Sequence, residues 1–347
     1  MNVVEWLLEP ETPAVRHATL VRLLGRAPDD PDVVEARSAA MAAPPISSIL
    51  AAQDEHGFWE KPGAGYATKY RGTVWQVMFL DQLSADPHDE RVRLACRYVL
   101  EHSTAPGGGF GASGRVDSVP TPSLVIHCLN GNLLRALIGF GWLHDDRVQR
   151  AIDWEARAIT GQGVTRWYAN TPGPGFACGA NEGLPCAWGA VKALLALTRI
   201  PAADRSPRVG QTIDQAVDFL LSRDPAAADY PMGWGNTRPS GSWFRLGFPS
   251  GYVADVLQNL EALSDAGCAR DPRLVNAHDW LLVRRAGDGR WRNEYAYNGK
   301  TWSDFERQGS PSKWVTLRAM CVLQRAGRLE ATAGPAAYGT GTGRTLT

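Results

Sequence analysis

Asp89-Glu90-Arg91-Val92, Asp145-Asp146-Arg147-Val148, Ser206-Pro207-Arg208-Val209 and Asp271-Pro272-Arg273-Leu274 are four copies of one string, in which a small or acidic residue precedes Arg-Val or Arg-Leu and then an amphipathic stretch. The arginines stand 56 (91 to 147), 61 (147 to 208) and 65 (208 to 273) residues apart, and Asp30-Pro31-Asp32-Val33 is a weaker copy ahead of them. A near-constant unit of this size indicates a repeat architecture, in which each unit buries its apolar face against its neighbours.

Within each unit the apolar residues fall at helical spacing, as in Val148, Ile152 and Trp154 or Leu274, His278, Trp280 and Leu281, which marks one face of an outer helix. Upstream of each outer helix lies a second, more apolar run, at 70–84, 122–140, 184–200, 249–267 and, last, 311–326. These runs are apolar around most of their circumference, as an inner ring buried on both sides requires. Pro31, Pro122, Pro185, Pro207, Pro249, Pro272 and Pro311 precede such runs, where a missing N–H costs nothing. Asp30, Thr121, Ser206, Asp271 and Ser310 stand directly before five of them as N-caps. Further helices near 12–25 and 30–53 supply one more pair. The fold class expected is all-α, an (α/α)5-6 toroid or barrel of helical hairpins over 1–330, with 1–53 closing the ring. Residues 331–347, rich in Gly, Ala and Thr, are expected to form a flexible tail. The Gly-rich, aromatic segments 54–68, 103–121, 161–183, 224–247 and 286–309 are long loops, the usual seat of function on a rigid scaffold.

Composition excludes several classes. The 36 Lys plus Arg balance 36 Asp plus Glu in 347 residues, so nothing marks a nucleic-acid partner. The first residues lack the positive charge and apolar length of a secretory signal, and no window is long and apolar enough to span a membrane. The expected compartment is the cytoplasm, where the six cysteines, Cys96, Cys128, Cys178, Cys186, Cys268 and Cys321, are expected as free thiols.

Gln53-Asp54-Glu55-His56-Gly57-Phe58-Trp59 resembles the Gln-to-Trp repeat of squalene-hopene cyclases. Gly289-Arg290-Trp291 keeps its second half, with Arg284 and Arg285 where Gln is expected, and Gly233-Trp234 and Gly109-Phe110 are more degenerate. The resemblance, to the terpenoid cyclase and protein prenyltransferase superfamily, covers about 45–327 and implies the toroid. It also implies that Gln53 bonds backbone at a helix end while Trp59 stacks nearby, tying neighbouring outer helices. The cyclases' protonating Asp-x-Asp-Asp is missing, and Asp145-Asp146 reads as helix-capping charge. Leu184-Pro185-Cys186-Ala187-Trp188 is similar in placement to the prenyltransferases' zinc cysteine, but Leu184 stands where that family has Asp, and Phe248-Pro249-Ser250-Gly251-Tyr252 offers no His.

Chemistry-bearing candidates cluster near the starts of inner helices. His127, Cys128, Cys178 and Cys186 are brought by adjacent repeats into reach of one another, and thiolate with imidazole is a donor set that zinc favours. The same thiols also read as packing groups, or as a nucleophile at a helix N-terminus. Asp255, three residues after Tyr252, is expected on the same helix face, buried and able to act as an acid, with Cys186 and Tyr252 beside it as catalytic candidates. Trp75, Trp188, Trp243 and Trp314, from a total of thirteen Trp, are expected to line the cavity and offer ring faces to a cation. Tyr70, Lys69, Arg245 and Lys313 are candidates for binding an anion such as a diphosphate. Asp304 and Glu306 are expected to be solvated. The leading functional expectation is an enzyme of the cyclase or transferase kind with an isoprenoid-like substrate in a central cavity. The alternatives are a carbohydrate-active α/α barrel, which needs two carboxylates across a cleft, and a non-catalytic binding toroid.

Overall fold

The computed structural model describes residues 2–112, 119–162 and 173–329, so the expected tail at 331–347 and parts of the loops at 103–121 and 161–183 lie outside the described residues. The helices are α1 (Val3–Leu7), α2 (Pro13–Arg22), α3 (Pro31–Ala42), α4 (Ile46–Ala51), α5 (Thr73–Gln82), α6 (Glu90–His102), α7 (His127–Gly139), α8 (Asp146–Thr160), α9 (Ala187–Leu197), α10 (Pro207–Leu221), α11 (Val256–Asp265), α12 (Val275–Val283) and α13 (Lys313–Arg325). Among the described residues the sheet content is one two-residue antiparallel pair, Trp291–Arg292 with Pro311–Ser312.

The repeated string proves to be a helix start. Asp89, Asp145 and Asp271 each accept the backbone N–H two residues on, at 2.8 to 2.9 Å. In each, the arginine's guanidinium also forks back onto both carboxylate oxygens, at 2.7 to 3.1 Å. The fork and cap hold these carboxyls below the usual carboxylate range. A cap of this kind contributes about 1 kcal/mol, whereas an exposed ion pair contributes little. The residue after each arginine, Val92, Val148, Val209 and Leu274, is buried and begins the apolar face.

The inner helices pack in succession, α5 on α7, α7 on α9, α9 on α11 and α11 on α13, while α6, α8 and α10 back onto their own inner partners. Gly131 of α7 lies so close to Lys192 and Ala193 of α9 that a β-carbon there would meet backbone at 2.6 Å. The N-terminal helices close the ring. α13 packs on α1 and α2, and Lys313 Nζ donates to Glu9 Oε2 at 2.7 Å and to Thr12 Oγ1 at 2.8 Å. On the other flank Asp86 N–H, just past α5, donates to Met41 Sδ of α3 at 3.2 Å. One continuous hydrophobic cluster runs from Leu7 to Leu323. The chain is thus an α/α toroid, as its repeat pattern implies.

In the turn that resembles the cyclase repeat, Gln53 bonds backbone as that resemblance implies, while Trp59 is held by hydrogen bonds. Gln53 Nε2 donates to the Arg91 carbonyl in the first turn of α6 at 3.0 Å, and fully buried Trp59 donates its Nε1–H to Ile49 O at 2.8 Å. Trp291 repeats the second bond on Leu281 O at 2.8 Å, and both Trp backbone N–H groups donate to a Thr hydroxyl, Thr73 and Thr316.

Two boundaries differ from the expectation. The helix read over 30–53 breaks into α3 and α4 at Pro44-Pro45, because neither proline donates an N–H to the ladder. The inner helix read over 249–267 begins only at Val256. The preceding residues 247–255 instead cross the centre of the ring, held by Gln82, which accepts Ser250 N–H at 2.8 Å and donates to Ser250 O at 2.9 Å. Asn132 donates to Gly251 O at 3.1 Å, and Arg318 to Gly247 O at 3.0 Å. A β-carbon at Gly251 would meet the Tyr297 hydroxyl at 2.7 Å, so a larger residue there would displace that side chain.

Candidate active site at the entrance of the inner helices

The segments leading into α5, α7, α9, α11 and α13 meet at one end of the ring. Tyr70 packs on Tyr297 with ring centroids 4.2 Å apart, Trp75 and Trp188 both stand edge-on to Tyr252 at 6.2 and 6.4 Å, and Gly189 abuts His127. Tyr66 stacks on Trp75 at 5.4 Å. Trp75 is fully buried and spends its Nε1–H on Tyr66 O at 3.0 Å. Lys69 Nζ lies 5.2 Å from the centre of the Tyr252 ring, a cation held over an aromatic face. Tyr70 is pushed up to about 12, first by burial and then by its tyrosine neighbours.

Thiol chemistry gathers where α7 and α9 begin. Ala177 and Pro185 form an antiparallel bridge, Cys178 N–H donates to Leu184 O at 3.1 Å and Cys186 N–H to Phe176 O at 2.9 Å. This pairing sets the Cys178 and Cys186 side chains on one face of the ribbon, as diagonal neighbours. Donation from the Cys186 thiol lowers Cys178 to about 6, against its own burial, with further help from the Ala180 N–H and the nearby His127. Cys186 is correspondingly pushed well above the ordinary thiol range, and burial pushes Cys128 up to about 12.

Behind this pair stands a fully internal network. His127 Nδ1 meets Glu155 Oε1 at 2.8 Å, and Glu155 Oε2 accepts from Asn130 Nδ2 at 2.7 Å. The Phe110 N–H donates to Asn130 Oδ1 at 2.9 Å. The other ring nitrogen of His127, Nε2, is buried without a partner among the described residues. Beside the thiols opens a mainly apolar cavity of about 90 Å³, lined by Cys178, Cys186, Trp188, Tyr230, Met232 and Trp243. The indole N–H of Trp188 is also buried without a partner among the described residues.

The four residues considered for zinc share this neighbourhood, with His127 bonded to Glu155 through Nδ1. Among the described residues no group of three or more His, Cys, Asp or Glu side chains stands in a metal-holding arrangement.

Other candidates fall elsewhere. Asp255 does not share a helix face with Tyr252, because it is the N-cap of α11: its carboxylate accepts Gln258 N–H at 2.7 Å and Gly247 N–H at 3.3 Å. Burial nevertheless raises its carboxyl above the usual range. Lys313 is committed to Glu9 and Thr12 in the ring seam rather than to an anion site. Trp314 is core, stacked on Phe248 at 4.5 Å and 8°. Arg245 lies 5.5 Å from the centre of the Tyr295 ring and donates to Glu294 O at 3.1 Å. Glu306 is not left to solvent, since it accepts the Lys313 N–H at 2.7 Å, the Trp314 N–H at 3.2 Å and the Ser312 hydroxyl, capping α13.

Several residues of the site escape a reading of the sequence. Glu155 sits among Val148, Ile152 and Ile159 on the buried stripe of α8, and a carboxylate on an apolar face is the signal that marks it. Lys192, in the otherwise apolar run Ala187–Leu197, is the same signal: fully buried, it donates to Gln258 Oε1 and is lowered to about 7 by desolvation. Tyr230 and Met232, in the loop after α10, carry no such mark.

No family model and no curated protein matches this sequence. Among solved structures the chain aligns over 92% of its length with 89% of the type II terpene cyclase MstE from Scytonema in its apo form, at TM-score 0.47 and 17% identity. A glycosyl hydrolase of family 88 from Bacteroides vulgatus aligns over 92% of this chain and 91% of its own, at TM-score 0.49 and 11% identity. An unsaturated glucuronyl hydrolase specific for heparin aligns over 92% and 85%, at TM-score 0.45 and 11% identity. Likeness at this level does not choose between their activities, and the toroid stands on the ring contacts of the chain itself. Among the described residues no helix is long and apolar enough to cross a membrane.

Proposed function

We propose that this chain is an enzyme acting on a small, isoprenoid-like apolar molecule, of the transferase or cyclase kind, and that the cavity beside α9 receives the molecule's apolar end. The observation that carries this reading is the coincidence of an aromatic wall with a thiol group: Trp188, Trp243, Tyr230 and Met232 line the same space as Cys178. An apolar cavity with a few convergent polar groups is the usual form of a small-molecule site. About 90 Å³ admits a branched or cyclic end-group and not a long polyene. In this reading Cys178, held as thiolate at neutral pH, is the nucleophile or base, and His127, oriented by Glu155, is the positioning group behind it. Trp188 and Trp243 supply ring faces for a developing cation. Asp255 serves as a helix cap, and zinc has no part in the proposal.

The carbohydrate alternative needs two carboxylates facing substrate across a cleft. Here Glu155, Asp255, Glu261 and Glu306 are all engaged by protein partners. Titration of the protein with farnesol, read by tryptophan fluorescence, tests the choice. Saturable quenching that weakens in Trp188→Phe and Trp243→Phe supports the reading. An unchanged spectrum, or an equal response to an unsaturated glucuronyl disaccharide, refutes it.

A further inference from the structure

We propose that Cys178 and Cys186 form a thiol–disulfide exchange site whose co-substrate is a low-molecular-weight disulfide such as oxidised glutathione, with Cys178 attacking and Cys186 resolving. Two observations carry this beyond the presence of two cysteines. The 177–185 bridge fixes both side chains on one face of a short ribbon, as diagonal neighbours. Both thiols also line the same open cavity, so an incoming disulfide can reach them without unfolding. In support of that geometry, the neighbouring thiol holds Cys178 below the ordinary thiol range while Cys186 is pushed above it. That asymmetry is what exchange requires, because the thiolate is the attacking species and works best when its pKa lies near the ambient pH. The remaining cysteines are unlike this pair: Cys96 and Cys321 are buried in the core, Cys268 is remote in sequence with its thiol raised by burial, and the nearby Cys128 is pushed up to about 12 by burial and is not among the residues lining this cavity.

The steps balance. The Cys178 thiolate attacks one sulfur of oxidised glutathione, the Cys178–glutathione bond forms, the glutathione S–S bond breaks and one glutathione thiolate leaves. Cys186 then gives its proton to that departing thiolate and attacks the Cys178 sulfur, expelling the second glutathione. The protein's thiolate and thiol together lose two electrons and one proton, and one glutathione disulfide is reduced to one thiol and one thiolate, the latter taking its proton from water. The product disulfide replaces the thiolate in the cavity wall. This inference does not depend on an apolar substrate.

The test uses the full chain, equilibrated in glutathione redox buffers, acid-quenched, alkylated and read by intact mass and peptide mapping. The expected wild-type product has lost two hydrogens and links the peptides carrying Cys178 and Cys186. Cys186→Ser should stop at one glutathione on Cys178, and Cys178→Ser should react at least about tenfold more slowly at this ribbon. Circular dichroism confirms that each variant is folded. A disulfide linking Cys128 instead, or glutathione accumulating on Cys186 of Cys178→Ser at the wild-type rate, overturns the assignment. So does a wild-type protein that stays fully reduced under oxidising buffer. Because the readout is covalent mass, its failure is separate from any failure to bind farnesol.

Discussion

Helices α9 and α13 enter the ring at equivalent points, each after a long loop and each with a tryptophan as its second residue, yet they are used in opposite ways. At α13 every group is spent. Ser312 caps Val315 N–H at 2.9 Å, Glu306 takes the next free N–H groups, Lys313 reaches Glu9 and Trp314 lies flat on Phe248. At α9 the cap position holds Cys186, which makes no side-chain capping bond, and Trp188 keeps an indole N–H without a partner among the described residues, beside a cavity. The difference teaches where function resides in a repeat fold. The α13 entrance is the seam where the last unit meets the first, and a seam must be sealed. An internal unit is already held by neighbours on both sides, so its entrance is free to carry reactive groups.

The largest expected effect separates the two tryptophans. Trp314→Ala should cost about 3–5 kcal/mol in chemical unfolding, the usual toll of emptying a core aromatic site, and Trp188→Ala distinctly less because its ring already borders open space. Equal losses would break the comparison. Next comes acid sensitivity in the polar layer beneath both entrances, where Glu261 is gripped by Arg318 through contacts of 2.6 to 3.0 Å. Burial pushes this carboxyl up, but the charge and hydrogen bonds of Arg318 outweigh it and hold it at about 2. A folded-state value below the unfolded one stabilises above about pH 4.5 and is lost as pH falls towards 2. On the order of 3 kcal/mol should therefore disappear over that window, and unfolding curves at stepped pH measure it. Flat stability from pH 5 to 2.5 would contradict the pairing.

Glu306→Ala should cost about 1–3 kcal/mol by stranding the α13 N–H groups and the Ser312 hydroxyl, again read by unfolding, and should leave farnesol binding intact. The smallest change in stability belongs to the open entrance: Cys186→Ala should shift it by less than about 1 kcal/mol. Its consequence is chemical instead. Alkylation of Cys178 in the wild-type chain should rise with a midpoint near pH 6, and loss of the donated thiol hydrogen bond should move that midpoint upward. A midpoint that does not move would separate the thiolate from its neighbour.

Much of the fold was legible in the sequence because its causes are local. Asp-x-Arg starts, proline entries and 3.6-residue apolar spacing each act within one or two turns, so four outer-helix starts and five inner runs could be read directly. Even there, Ser250-Gly251 misled, since a segment apolar enough for a helix is drawn instead across the ring by Gln82, Asn132 and Arg318. The site was legible only as a neighbourhood. Cys178, Cys186, His127 and Trp188 were all marked, but the partners that decide their chemistry lie far off in sequence or across helices.

By itself, then, the sequence determined a ring of helical hairpins, because burying one face of each unit against the next is a requirement that periodicity alone expresses. Only the tertiary structure decided which entrance is shut and which is open. That depends on pairings such as Lys313 with Glu9, 304 residues apart, and His127 with Glu155, 28 apart. A hydrogen bond satisfied or left wanting is a property of two groups in space, and no spacing along the chain encodes it.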